Sequence, residues 1–155
     1  MIKKIIFGSV LFTAISAPSF ASSINTQLEQ ATQSVSEKVI TWRRHLHQYP
    51  ELSNREFETA KYITNHLKSL GLEVQTDVAH TGVVAKLSGG KKGPLIALRA
   101  DMDALPVTEQ VDLPFASKQT STYRGNEVGV MHACGHDTHV AILMAVAESL
   151  VKIKD

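Results

Sequence analysis

The residues able to do chemistry concentrate in two short segments. Asp101-Met102-Asp103 follows a brief apolar run. His132-Ala133-Cys134-Gly135-His136-Asp137-Thr138-His139 precedes an Ala-rich apolar stretch. Together they hold three carboxylates, three imidazoles and the only thiol of the chain. Thiolate, imidazole and carboxylate are the groups that zinc, manganese, cobalt and nickel accept as ligands. Cys134 and His136 stand two apart, and Gly135 between them lets the backbone turn so that both side chains can converge on one ion. A metal would hold Cys134 as thiolate, and so would the N-terminus of a helix beginning behind it. Asp101 and Asp103 share a face if their segment is extended. Asp103 or Asp137 could take the second ring proton of a ligating histidine and fix its tautomer.

Other roles are open to the same residues. Cys134 can be a small core residue, or a nucleophile paired with His132 or His136. His132 and His139 read as surface or outer-layer groups ahead of ligands. Asp101 alone would serve a turn. His45 and His47 suit the end of a helix by favouring its dipole. The spacings match neither a zinc finger nor an H-E-x-x-H helix.

The elements that must position these groups follow from periodicity. Ile24, Leu28, Ala31, Val35, Val39, Trp42 and Leu46 recur at three and four, which predicts one helix over 22–48 stopped by Pro50. Ser53-Asn54-Arg55-Glu56 matches a capping box for a second helix that uses Phe57, Ala60, Ile63, Leu67 and Leu70, with Gly71 as its C-terminal cap. Strands are predicted over 72–76 and 83–87. Leu95-Ile96-Ala97-Leu98 has the continuous apolar character of a central strand covered on both faces. A loop-like stretch over 107–122, a short strand over 128–131 and a helix over 138–153 complete the pattern. Helices flanking a mixed sheet give an α/β fold, and ligand sites in such sheets lie at the carboxyl ends of strands. Both polar segments fall at expected strand ends.

Composition bounds the classes of function. The 155 residues carry 16 Lys+Arg and 15 Asp+Glu, 43% hydrophobic and 20% charged. That is the balance of a globular chain, with no basic excess to point to nucleic acid. One cysteine excludes an internal disulfide framework. Met1-Ile2-Lys3-Lys4, the apolar run from Ile5 to Ala17 and the small residues Ser19 and Ala21 read as a secretory signal peptide over 1–21. The apolar run falls short of the ~20 residues that span a bilayer. A periplasmic or secreted protein is therefore expected, without a membrane anchor once the leader is cut.

Five segments together resemble a known family. They are Trp42-Arg43-Arg44-His45-Leu46-His47, Tyr49-Pro50-Glu51-Leu52, Gly82-Val83-Val84-Ala85, Leu98 through Pro106, and Met131 through Asp137. In this order they resemble the amidohydrolase branch of the dinuclear metallopeptidases, which includes hippurate hydrolase, N-acyl-L-amino-acid amidohydrolases and plant indole-acetyl-amino-acid hydrolases. The resemblance implies that Cys134 and His136 are metal ligands and that Asp103 is an acid orienting a ligand. Asp101, Asp137 and His139 are candidates for the layer behind them. It implies two divalent ions per complete site (zinc, manganese, cobalt or nickel) and hydrolysis of the amide bond of an N-acyl amino acid or small peptide.

Family members are more than twice this length. Their general-base glutamate, remaining ligands and a smaller dimerisation domain come later in the chain. Residues 22–155 are accordingly expected to be the N-terminal portion of such a catalytic domain. By itself it should bind metal weakly and hydrolyse little, with homo-oligomers forming only through the missing domain. A different class of function is a secreted, non-enzymatic metal-binding or interaction module. A thiol hydrolase using Cys134 is a third.

Overall fold

A computed structural model describes residues 23–155. The expected signal peptide over 1–21 lies outside them. Eight elements follow in order: α1 (Ile24–Gln33), α2 (Ser36–Gln48), α3 (Phe57–Ser69), β1 (Glu73–Val78), β2 (Gly82–Lys86), β3 (Thr120–Tyr123), β4 (Asn126–Gly129) and α4 (His136–Lys152). The mixture of helices and small sheets agrees with the α/β expectation. The strands form two separate antiparallel pairs, β1–β2 and β3–β4, rather than one sheet among the described residues.

The helix expected over 22–48 is two helices. Hydroxyls around the joint compete for backbone carbonyls: Ser34 Oγ donates to Ala31 O at 2.6 Å, and Ser36 Oγ donates to Gln33 O at 2.9 Å. Val35, 2% exposed, plugs the joint from inside. The apolar stripe survives the break only in part. Ala31, Val35 and Leu46 are buried, whereas Ile24 and Leu28 are exposed.

The capping box at α3 is a second correction. Glu56 occupies the N-cap position and makes no side-chain cap. It is buried instead and accepts a 2.7 Å hydrogen bond from Thr81 Oγ1, in the turn just before β2. Glu51 caps the helix from outside, accepting from the backbone N–H of Glu58 (3.2 Å) and Thr59 (2.8 Å). These are two of the donors a helix start leaves open. At the other end Gly71 has φ +76°, its N–H donates to Lys68 O, and the N–H of Leu72 donates to Leu67 O. That is a Schellman cap, as the position of the glycine predicts.

Residues 95–98 do not form the expected central strand. Leu95 is 93% exposed and Ile96 75%, and neither belongs to a ladder among the described residues. An apolar run becomes a strand only where another strand supplies its hydrogen bonds, and no described strand lies against this one. The strand expected over 128–131 begins earlier, as β4, and pairs with β3 through a two-residue turn. Arg124 (φ +52°) and Gly125 (φ +83°) both take the left-handed conformation that a type I′ hairpin requires.

Two apolar clusters hold the molecule together. Leu46 of α2 packs with Val140, Ala141 and Met144 of α4, joined by Trp42, Tyr62, Ile63, Ala100 and Met102. Leu52, Ala104 and Val130 form the second. It is stitched by a parallel bridge, Leu52 to Ala104, and an antiparallel bridge, Leu105 to Met131. The N–H of Ala104 donates to Glu51 O at 2.7 Å, and Leu105 and Met131 exchange bonds of 3.0 and 3.1 Å. These bridges bring the segment ending in Asp103 alongside the one beginning at His132.

Candidate metal centre

His136 is the first residue of α4, and Gly135 before it is the N-cap with φ +81°. A side chain there would be strained by the backbone alone, since nothing lies within 4 Å of its Cβ position. The left-handed turn at Gly135 joins Cys134 to the start of the helix. His136 Nδ1 lies 2.8 Å from Asp103 O and 3.1 Å from Asp103 Oδ1. Both partners are acceptors, so Nδ1 carries the proton and Nε2 holds the lone pair available to an ion. Asp103 is therefore placed to orient His136. Cys134 is exposed. His139 stands one turn along α4, its ring centroid 5.9 Å from that of His136, and is exposed.

Asp101 and Asp103 do not behave alike. Ala100 and Met102 pack toward the α2–α4 core. Asp101 is exposed and held by the Arg99 guanidinium at 2.6 and 3.0 Å, and these bonds keep its carboxyl below the usual carboxylate range.

Asp137 is 1% exposed and serves a different set of groups. Its Oδ2 accepts from His47 Nδ1 at 2.8 Å and from Arg43 Nε at 2.9 Å. The other nitrogen of His47 lies 2.8 Å from Glu109 Oε2. The side chains of His47 and Glu109 are 5% and 4% exposed. Phe115 covers them, with its ring edge-on to His47 at 5.9 Å and the Arg43 guanidinium 5.3 Å above its face. His47, Glu109 and Arg43 were not among the residues that sequence reasoning singled out for a site. The available signal was that Arg43 and His47, four apart, share a helix face with the apolar stripe beside them.

His132 is buried, and neither ring nitrogen has a hydrogen-bond partner. Burial pushes its pKa down to about 4, against the opposing charge of Asp137. Asp137 Oδ1 and Glu109 Oε1 are likewise buried without partners. Each such atom costs stability on the order of 1–3 kcal/mol. Their concentration around Asp137 and His47 marks a region not optimised for stability alone.

The donor chemistry fits a divalent cation. A thiol and an imidazole whose free nitrogen is set by a carboxylate are suitable first ligands. Among the described residues, no group of three or more His, Cys, Asp or Glu side chains is arranged to hold an ion. Cys134 and His136 by themselves do not make a closed site.

The sequence profile described as peptidase family M20/M25/M40 matches residues 97–155, which contain both polar segments. The thermostable carboxypeptidase 1 of Saccharolobus solfataricus is 48% identical over 130 residues, 83% of this chain and 31% of that protein. Over residues 97–155 the chain carries the sequence pattern of the M20/M25/M40 peptidase family. The N-acetyl-L-cysteine deacetylase of Bacillus subtilis is also 48% identical, over 77% of this chain and 27% of its own length. The solved structure of the Bacillus subtilis YxeP protein, described as a dinuclear metal-binding peptidase of the M20 family, superposes with a TM-score of 0.69 at 42% identity. It covers 79% of this chain and 32% of its own. The chain spans about a third of the length of the M20 relatives it matches.

Proposed function

We propose that these residues form one wall of a metal-dependent amidohydrolase centre acting on the amide bond of N-acyl amino acids or small peptides. The observation that carries this reading is the bond between Asp103 and His136, made across the bridge that joins the two polar segments. It leaves His136 Nε2 and the exposed Cys134 as donors on one rim of the fold. The nature of the M20 relatives supports it, since one acts on an N-acetyl amino acid and another is a carboxypeptidase by name. Bound divalent cations, two in a complete centre, would polarise the acyl carbonyl and lower the pKa of the attacking water. Cys134 and His136 hold the cation side of that centre. Asp103 keeps the His136 ring in the required tautomer. We further propose export to the periplasm or beyond, directed by residues 1–21.

The test is release of benzoate from hippurate by the full-length protein with manganese or zinc. Cys134→Ser and His136→Ala should each abolish metal-dependent turnover. Full turnover in both variants overturns the reading. The absence of a three-ligand group among the described residues favours a second reading, metal binding without hydrolysis. In that case the cation binds with dependence on Cys134 and no substrate is turned over.

A further inference from the structure

α4 begins without the usual means of fixing its first turn. Its N-cap is Gly135, and no side chain caps the open N–H groups. A glycine there is tolerated, but it fixes the first turn less firmly than a side-chain cap would. Yet the first turn carries His136, whose ring must hold one orientation to bind a cation. His136 is held on one side by Asp103. Its neighbour Asp137 is held on the other by a chain of buried polar groups that hydrolysis itself does not call for.

That chain runs through three parts of the molecule distant in sequence. Arg43 and His47 come from α2, Glu109 from the loop after Pro106, and Asp137 from α4. His47 lies 90 residues from Asp137 and 62 from Glu109. Its ring bridges the two carboxylates at 2.8 Å on each nitrogen. A neutral imidazole donates from one nitrogen only, so the ring satisfies both carboxylates when it carries both protons. Phe115 packs against His47 and the Arg43 guanidinium, and Arg43 alone of the four stays partly exposed. Buried charged pairs of this type contribute little net stability compared with apolar packing, whereas they define position sharply.

We infer that His47, clamped between Glu109 and Asp137 with Arg43 alongside, is a positioning residue that locks the first turn of α4 and so orients His136 toward a bound cation. This rests on the proposed metal role of Cys134 and His136. Removal of an outer-layer partner of a metal-binding histidine lowers metal affinity by about 10–100-fold.

The experiment is a cobalt(II) titration of the purified chain, read by the thiolate-to-cobalt charge-transfer band, with thermal melting followed in parallel without metal. Wild type should show the band, and Cys134→Ser should lose it. His47→Leu and Glu109→Leu act one step behind the direct partners of His136 and should each weaken cobalt binding by up to about tenfold, and Glu109→Gln, which keeps an acceptor for the ring, should restore most of it. Glu51→Ala, which removes the cap of α3, is the control for general destabilisation. It should lower the melting temperature and leave cobalt affinity unchanged.

Wild-type affinity in His47→Leu and Glu109→Leu, with the band intact, overturns the positioning role and leaves the metal reading standing. So does an equal loss in Glu51→Ala, which would make the effect one of stability. A wild-type chain with no thiolate band overturns the metal reading itself. Should His47→Leu fail to fold, the comparison of Glu109→Leu with Glu109→Gln decides the matter alone.

Discussion

Asp103 does at residue scale what makes His136 usable. Its carbonyl and carboxylate both take up Nδ1, so the ring cannot rotate or exchange tautomers freely. Asp103→Ala should therefore lower zinc affinity by about 10–100-fold, measured by competition with a chromophoric chelator. Unchanged affinity would show that the ring is fixed by other means. His132, two residues before the thiol, is a separate case. Its buried, unpartnered ring should titrate near 4, with the C–H resonances followed by NMR from neutral pH downward. A midpoint at or above 6.5 would mean that the ring is solvated. Asp103 and His136 were legible from residue type and motif. The burial of His132 was not, because nothing in a string of polar residues says which one turns inward.

At the scale of elements, helix ends decide what the side chains can do. Glu51 caps α3 from the bridge segment, so Glu51→Ala should cost about 1 kcal/mol, the usual worth of a cap, in a urea unfolding curve. Loss of no stability would show that solvent satisfies those N–H groups equally well. Gly135→Ala forces a Cβ into left-handed backbone and should cost about 1–2 kcal/mol. It should also weaken metal binding, because the turn that presents Cys134 and His136 would relax. The capping box that the sequence suggested for α3 has the right residue types, but a buried threonine hydroxyl in the turn before β2 takes Glu56 away. Local pattern could not foresee that competition. The Gly71 cap, by contrast, depends only on neighbouring residues and was legible as such.

For the whole molecule below neutral pH, His132, His45, His66 and Glu148 all act with one sign. The folded-state pKa of His132 lies below its unfolded value of 6.5, at about 4, and burial also lowers those of His45 and His66. Burial raises that of Glu148, but hydrogen bonds from Lys38 and Lys152 outweigh it and leave the carboxyl below its ordinary value. Groups with depressed folded pKa values contribute stability that is present above their unfolded pKa and lost as pH falls through the folded one. Stability should thus decline from about pH 6.5 toward pH 4, by up to about 3 kcal/mol from His132 alone. Urea midpoints at pH 7.5 and 5.0 check this, and an unchanged midpoint contradicts it. The exposed run of Leu95, Ile96 and Leu98 is a second global feature. Contiguous apolar surface promotes association. Ile96→Lys should reduce hydrophobic dye binding and aggregation of this chain, measured by fluorescence and light scattering.

The sequence by itself determined the chemical inventory of the protein. A single thiol two residues from a histidine, the paired aspartates and the five ordered motifs were enough to set the family and the candidate ligands, because these depend on residue type and spacing. The Gly71 cap was equally local, whereas the helix stripe over 22–48 missed the break at Ser34 and Val35. Only the tertiary structure decided which acid serves which base. Asp103 rather than Asp137 takes the His136 ring. Asp137 belongs instead to a buried chain reaching His47 and Glu109. The reason is geometric: hydrogen bonds act over about 3 Å in space, while the residues they join stand 33, 62 and 90 positions apart.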